Sequence, residues 1–408
     1  MSVKSFDLII VGAGPAGCAC AYALRHEPIK IAVIDKDQFP RDKICGDALS
    51  ADVVNQLFRM DKDLGERFEK FFDKQESHGV RFFAPNGNRL DIDFSNEKHG
   101  GAAGYISKRE HFDNFFFNQI KDLENVEIFL SQKADQIIRD NETIKVFVGS
   151  DELHAPIIIG ADGAHSIVNR CLGEIKVEKN HYCAGLRQYY AGVEGFHQKG
   201  HIELHFIKDV LPGYLWIFPL PNGEANVGLG MLSSEVSKKK VNLKAKLDQL
   251  VSNHPLLQGR FKNARALESV KGYGLPIGSK KRPISGDRFL LLGDAASLID
   301  PFTGEGIGNA IRSGRLAAEH IINCIKSKRF DASYNKGYEK VVYHKMWNEL
   351  RLSRGLQKLL RFPRLFNFVV RKANKNQSVK LLLTSMLDNV DLKKELVKPS
   401  FYLKLLFS

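Results

Sequence analysis

Cysteine is scarce in this 408-residue chain: Cys18, Cys20, Cys45, Cys171, Cys183 and Cys324 are all it has. No CxxC pair occurs, and the two nearest cysteines are separated by one residue. A disulfide framework and a zinc centre are both disfavoured, and no metal site is expected. No stretch approaches the ~20 apolar residues that a membrane-spanning helix needs. The opening "MSVKSFDLIIVGAG" enters a strand at once, without the apolar segment and small-residue cleavage site of a signal peptide. A cytoplasmic location is expected. Internal repeats and low-complexity linkers are also missing. Acidic residues are the minority, 47 Asp+Glu against 60 Lys+Arg, a net charge of +13. From Asp331 to Ser408 there are 16 Lys/Arg and 6 Asp/Glu, so +10 of that excess lies in the last segment. Such a segment suits an anionic partner, a membrane surface or a phosphorylated substrate; solvated helix faces are the plainer reading. No nucleic-acid partner is expected, and the oligomeric state is left open.

What is present reads as α/β. "FDLIIV" (6–11) is a buried strand, "GAGPAGCACAYALR" a turn and helix, and "KIAVIDKD" a second strand, which makes one parallel βαβ unit. "VRFFAPNGNRLDIDF" alternates about Asn86-Gly87, a hairpin signal. Residues 107–120 and 241–259 read as helices, and residues 181–232 as antiparallel strands covering a pocket. "DELHAPIIIGADGAHS" and "RFLLLGDAASLIDPFTGEGIGNAIRSG" (288–314) each hold a buried strand ending in glycine and aspartate. From 331 onward the pattern is helical and basic, interrupted at Pro363. The expected fold is a Rossmann-like domain with a parallel sheet, an antiparallel substrate domain and a helical C-terminal tail. The nucleotide-binding domain takes residues 1–75, 101–180 and 276–330. The substrate domain takes a hairpin in 76–100 and the strands of 181–275, and 331–408 is the basic helical region.

The first turn, Gly12-Ala13-Gly14-Pro15-Ala16-Gly17, follows a strand and opens a helix. Gly12 permits the tight turn, Gly14 lets backbone approach a pyrophosphate, and Gly17 lets the helix pack on the strand. N–H groups at the helix start then face the phosphates. Asp35 ends the second strand 23 residues after Gly12, where an acid accepts hydrogen bonds from a ribose. A glycine turn that merely packs a helix is the competing reading.

Three separated segments together resemble the flavoprotein fold of p-hydroxybenzoate hydroxylase and its relatives. They are "GAGPAG" with Asp35, "GADGAHS" with Asp162 and Gly163, and "LLGDAASLIDPFTGEGIGNA" with Gly293 and Asp294. The resemblance covers the flavin domain and implies FAD. It implies that the second segment touches the dinucleotide, that Asp294 bonds the ribityl chain, and that the loop after it meets the isoalloxazine. Arg109 in "KREHFD" matches the family's arginine along FAD. Pro15, Ala16, Lys36, Pro301, Gly304, Gly306 and Ile307 complete the expected cofactor set. A helix beginning near Gly306 would turn its positive end on the flavin, favouring the anion of the reduced form. There is no second strand–GxGxxG–helix unit, so NAD(P)H or another electron donor is expected to dock transiently.

Two further stretches resemble the geranylgeranyl reductase family within that fold: "FPRDKICGDAL" (39–49) and "PGYLWIFPLPNGEANVGLG" (212–230). The resemblance implies FAD-dependent reduction of carbon–carbon double bonds in prenyl or other apolar lipids. Its matching residues are Tyr214, Trp216, Phe218, Pro219 and Gly228, taken as substrate contacts, with Gly230. Tyr214, Trp216 and Phe218 alternate along a strand and so point to one face, an aromatic wall suited to an isoprenoid or another flat apolar substrate, or ordinary sheet packing. Reduction passes a hydride to one alkene carbon and a proton to the other. Cys45 is the first candidate for the proton, with solvent or a tyrosine as rivals. An oxygen-using hydroxylase or halogenase is the alternative activity, and a non-redox isomerase or binding flavoprotein a third. "GLQKLLRFPRLFNFVVRK" (355–372) mixes apolar and cationic residues as interfacial helices do, which suggests peripheral contact with the inner membrane face.

Overall fold

The structure is a computed structural model that describes residues 2–94, 102–140 and 142–388. Residues 389–408 of the basic region and 95–100 of the expected hairpin segment lie outside the described residues.

Runs of aliphatic residues build the central sheet. Its strands, in spatial order, are Ser285–Gly286, Phe289–Leu291, Ile158–Gly160, Leu8–Val11, Ile31–Ile34 and Val126–Phe129. All neighbours pair in parallel except the first two. The strands Leu8–Val11, Ile31–Ile34, Ile158–Gly160 and Phe289–Leu291 are buried throughout, as a sheet covered on both faces requires. Register carries the functional consequence. Val11 stands opposite both Ile34 and Gly160, and Gly160 opposite Leu291. The chain leaves these four strands into Gly12, Asp35, Asp162 and Gly293-Asp294, so the three glycine–aspartate motifs emerge side by side at one edge. Ligands of open α/β sheets bind at the carboxyl ends of the strands.

Two helices pack on this sheet with their N-termini at the same edge. Pro15–Ala23 is made of small residues and is buried through Tyr22. Ile307–Ser327 lies against it, and a Cβ on Gly314 would come 2.3 Å from the Ala16 carbonyl oxygen. Glycine at 314 is what permits the approach.

The second large sheet runs Arg265–Ala266, Tyr182–Ala191, Glu224–Leu232, Gly213–Pro219, Ile202–His205, Gly79–Phe83 and Arg89–Asp93, with Lys271–Pro276 also paired to Tyr182–Ala191. The expected hairpin is its far end: Gly79–Phe83 and Arg89–Asp93 pair antiparallel about Asn86-Gly87. One pairing departs from the expected antiparallel pattern, since Ile202–His205 joins Gly79–Phe83 in parallel. Small sheets of four and three strands flank the two large ones. At the C-terminus the helix Ala332–Leu359 ends before Pro363, which opens the next helix, Pro363–Lys375, where its missing N–H costs nothing. Leu360, Val370, Ala373 and Val379 are buried in the core under the hairpin. The basic region is therefore part of the fold as well as a surface.

Candidate active site

The edge of the first sheet and the inner face of the second enclose one cavity of about 910 Å³. Its first limb is polar. Gly12 has φ 103°, and a Cβ there would lie 2.4 Å from the Ala161 carbonyl oxygen, so the first and second motifs touch through bare backbone. Gly14 caps the Pro15–Ala23 helix without any side-chain hydrogen bond. The first-turn N–H groups are thus left for an anion.

Asp35 sits beside them, 7% exposed, accepting N–H bonds from Ala13 at 2.7 Å and Asp37 at 3.0 Å. Burial pushes its pKa up, against those two bonds and the nearby Arg41. Asp162 is also raised, chiefly by burial; one carboxylate oxygen accepts from Ile167 N–H at 2.6 Å and the other has no hydrogen-bond partner among the described residues.

Asp294 lies across the cavity, and one of its oxygens is 3.5 Å from the Lys43 ammonium. Gly306 caps the helix Ile307–Ser327, again without a side-chain hydrogen bond, and Gly304, Gly306 and Ile307 line the cavity. Arg109 is 3% exposed, with its Nε and Nη2 each 2.7 Å from an oxygen of Asp113. Burial lowers its pKa, but Asp113 and the adjacent Cys45 outweigh that, so the guanidinium stays charged.

Two helix N-termini, a bare glycine turn and three carboxylates on one elongated cavity fit a dinucleotide. The helix at Gly14 and the turn would hold a pyrophosphate, Asp35 a ribose, and Asp294 a ribityl chain.

The second limb is apolar. Tyr214, Trp216 and Phe218 project into it together, with successive ring centroids 6.2 and 6.3 Å apart. Val80, Phe82, Ile202 and Leu204 continue the wall. These four were missed from sequence, although their alternation was visible; only the parallel pairing of the two strands brings them to the same face. Cys45, Gly46 and Asp47 close the limb at the polar end.

Five expected residues do not line the cavity. A Cβ on Gly17 would lie 1.9 Å from the Gly12 carbonyl oxygen, so Gly17 packs the helix on its own turn. Gly293 lies behind its neighbour Asp294, its N–H donating to Ser313 Oγ at 3.0 Å. Pro301 is buried behind the loop, where its carbonyl accepts from Gln357 Nε2 at 2.7 Å. Pro219 follows Phe218 and so falls on the opposite face of the strand. Gly228 faces the indole of Trp216, and a Cβ there would lie 2.0 Å from its Cζ2. Gly12, Gly14, Pro15, Ala16, Lys36, Gly163 and the remaining expected residues all line it.

The loop after Asp294 has supports that the sequence pattern did not mark. One oxygen of Asp300 accepts the N–H groups of Phe302 and Thr303, both at 2.9 Å, and the other accepts from Ser353 Oγ. Ser353 and Gln357 belong to the long C-terminal helix, which thereby fixes the loop.

The FAD binding domain family matches residues 5–336. The digeranylgeranylglycerophospholipid reductase of Methanosarcina mazei is 30% identical over 354 residues, covering 84% of this chain and 81% of that one. The chain belongs to the geranylgeranyl reductase family of FAD-dependent oxidoreductases. The menaquinone reductase of Mycobacterium tuberculosis is 32% identical over 330 residues, 78% of this chain and 77% of that one. Among solved structures, a geranylgeranyl bacteriochlorophyll reductase-like protein from Thermoplasma acidophilum superposes with a TM-score of 0.82 at 24% identity, over 97% of this chain and 99% of that one. The flavin-dependent brominase Bmp2 shares the fold at a TM-score of 0.73 and 20% identity, over 94% of each chain. The fold is thus shared with a flavin-dependent brominase.

Proposed function

We propose that this enzyme reduces carbon–carbon double bonds in the isoprenoid chain of a polar-headed lipid. The observation that carries the reading is the continuous cavity, whose cofactor limb runs into a wall of Tyr214, Trp216, Phe218, Val80, Phe82, Ile202 and Leu204. An apolar wall of that kind stabilises a long hydrocarbon and excludes water. Two of the similar reductases bear the names of lipids that carry such chains. Bound FAD would supply the hydride. The chain's own residues do the rest. Gly14 and Ala16 offer N–H groups to the pyrophosphate, Asp35 and Asp294 accept hydroxyl bonds, and the helix at Gly306 turns its positive end on the ring system. NAD(P)H, or another donor, would reload electrons by transient docking. One protic side chain, Cys45, favoured from its sequence position, lies on the turn at the junction of the limbs.

The enzyme would draw its lipid from a membrane face. No described helix is long and apolar enough to cross a membrane. Phe362, in the turn before Pro363, and Leu365 and Leu381, on the two helices that follow, are exposed, with Arg361, Arg364 and Arg371 nearby in sequence. This combination suits peripheral contact with anionic lipid.

The test is anaerobic stopped-flow absorbance of the reduced holoenzyme near ~450 nm, the oxidised-flavin band. Mixing with a polyprenyl lipid should reoxidise the flavin, while oxygen reacts slowly. Fast reaction with oxygen and none with lipid would instead support a monooxygenase or halogenase, the activity class of the brominase that shares the fold.

A further inference from the structure

At the junction of the limbs the Cys45–Asp47 turn lies directly on the aromatic wall. A Cβ on Gly46 would be 3.0 Å from the Phe218 ring and 3.6 Å from Trp216 Nε1, so glycine there lets turn and wall meet. A residue of neither ties the two together. Asn226 is wholly buried in the strand Glu224–Leu232, paired with Phe218 on one neighbouring strand and with Tyr189 on the other. Its Oδ1 accepts from Trp216 Nε1 at 2.8 Å. Its Nδ2 donates to the Cys45 carbonyl and to Asp47 Oδ2, both at 2.8 Å. Chemistry fixes the orientation of this amide. An indole N–H only donates and a backbone carbonyl only accepts, so the oxygen must face Trp216 and the nitrogen Cys45.

The turn has other anchors. Tyr189 OH donates to Asp47 Oδ2 at 2.7 Å, Ser107 N–H donates to the Asp47 carbonyl at 3.0 Å, and the Arg109 guanidinium meets the Cys45 thiol. Among the described residues, only Asn226 bonds both this turn and the Trp216 indole. The indole has room because residue 228 is glycine, and the bond to Asn226 sets where its N–H edge points. A buried amide is costly unless its bonds are made. An aliphatic side chain could fill this space, but it would leave the indole N–H and the Cys45 carbonyl unpaired and free to part. Direction is what the amide adds.

We propose that Asn226 is a positioning residue for alkene reduction: its amide fixes the spacing between the Trp216 indole and the Cys45 turn, and so the pose in which a bound double bond meets the cofactor limb. The inference rests on the reductase reading. Asn226 acts through its neighbours and touches no reacting atom itself. Binding of the chain is left to the rest of the wall, Val80, Phe82, Ile202 and Leu204. Losing the amide should therefore cost rate more than affinity.

Anaerobic mixing of the reduced holoenzyme with a polyprenyl lipid, over a range of lipid concentrations, separates the two. Asn226→Ala should lower the saturating reoxidation rate by about tenfold to a hundredfold, as a small misplacement does, and move the half-saturating concentration by less than about threefold. Asn226→Asp supplies the rescue. It keeps an acceptor for Trp216; protonated, its carboxyl also donates as the amide does, and ionised it cannot. The adjacent Asp47 disfavours a second charge, which raises the pH at which that proton is held. Relative to wild type, the N226D rate should be lowest near about pH 9 and climb as pH falls to about 5, while N226A stays a constant fraction. With isotopically labelled tryptophan, the Trp216 indole N–H resonance, assigned by its loss in Trp216→Phe, should shift in N226A without any lipid present. N226A at the wild-type saturating rate, a loss confined to the half-saturating concentration, an N226D rate that does not recover in acid, or an unmoved indole resonance would overturn the positioning role alone. If N226A fails to fold, the recovery of N226D in acid decides it. A wild-type enzyme that passes no electrons to any prenyl lipid would overturn the reductase reading and the positioning role with it.

Discussion

Lys43 and Asp294 lie 251 positions apart in sequence, yet the Lys43 ammonium is 3.5 Å from the Asp294 carboxylate. The contact ties the loop after the second strand to the third glycine–aspartate motif, across the cavity that both line. In the proposed cofactor site Asp294 would serve two partners, the ammonium on one side and a ribityl hydroxyl on the other.

Asp294→Ala should therefore weaken FAD retention by about ten- to a hundredfold, since a hydrogen bond to a charged group is worth about 1.5–3 kcal/mol. Lys43→Ala leaves that acceptor in place and should weaken it much less. Fluorescence titration of deflavinated protein with FAD separates the two. Equal affinity of D294A and wild type would remove Asp294 from the cofactor site.

Gly228 explains a motif glycine that contacts no part of the cavity. Paired with Trp216 across the antiparallel ladder, it makes room for the indole, with the missing Cβ 2.0 Å from Cζ2. Gly228→Ala should drive the ring from its place and cost about 1–3 kcal/mol of overpacking. The same shift should disturb the Trp216–Asn226 hydrogen bond and slow lipid-dependent reoxidation. A lower melting temperature with a changed tryptophan emission spectrum is the expected pair of results.

Much of this site was legible in sequence because its cofactor half is built from strand ends. The segments ending at Gly12, Asp35, Asp162 and Asp294 each carry a local signal, buried aliphatic residues followed by glycine, an acid or both. Parallel pairing then brings them together by register. The Tyr214–Trp216–Phe218 wall was readable from period two for the same reason. Pro219 was misplaced by reading the motif as a unit where the pleat splits it. Asp300, Asp47 and Asn226 were not singled out, because their meaning depends on partners up to 181 positions away. Nothing local marks Asn226 as the link between Trp216 and Asp47. The long C-terminal helix read only as basic and helical, while its Ser353 and Gln357 hold the loop at Asp300 and Pro301.

Asp113 makes an acid-side prediction. Burial raises its pKa, but Arg109 and Arg41 overcome that and hold the carboxyl below its usual range. A depressed pKa in the folded state contributes stability that is present above the unfolded value near 3.9 and is lost as pH falls through the folded value. The wild-type melting temperature should decline over that acid interval. Asp113→Asn should flatten this part of the decline while lowering stability at pH 7 by about 3–5 kcal/mol, since Arg109 is left buried without its counter-charge. Thermal unfolding followed from pH 3 to 7 would show both effects, and a variant with the wild-type profile would refute the assignment.

The membrane proposal calls for point changes, because deleting the C-terminal helices would also remove Leu360, Val370, Ala373 and Val379 from the core and the supports of the flavin loop. Phe362 is 62% exposed and Leu365 42% exposed, so replacing both with serine leaves the core intact. Each apolar side chain buried in a bilayer interface is worth up to about 1.5–3 kcal/mol. The double variant should then bind anionic phosphatidylglycerol vesicles about tenfold or more weakly in a flotation assay, with FAD content and melting temperature unchanged. Binding should also fall with salt, because the flanking arginines act through screened charge. Equal binding by wild type and variant would move the membrane contact away from this surface, and equal binding to neutral and anionic vesicles would remove the electrostatic part of the proposal.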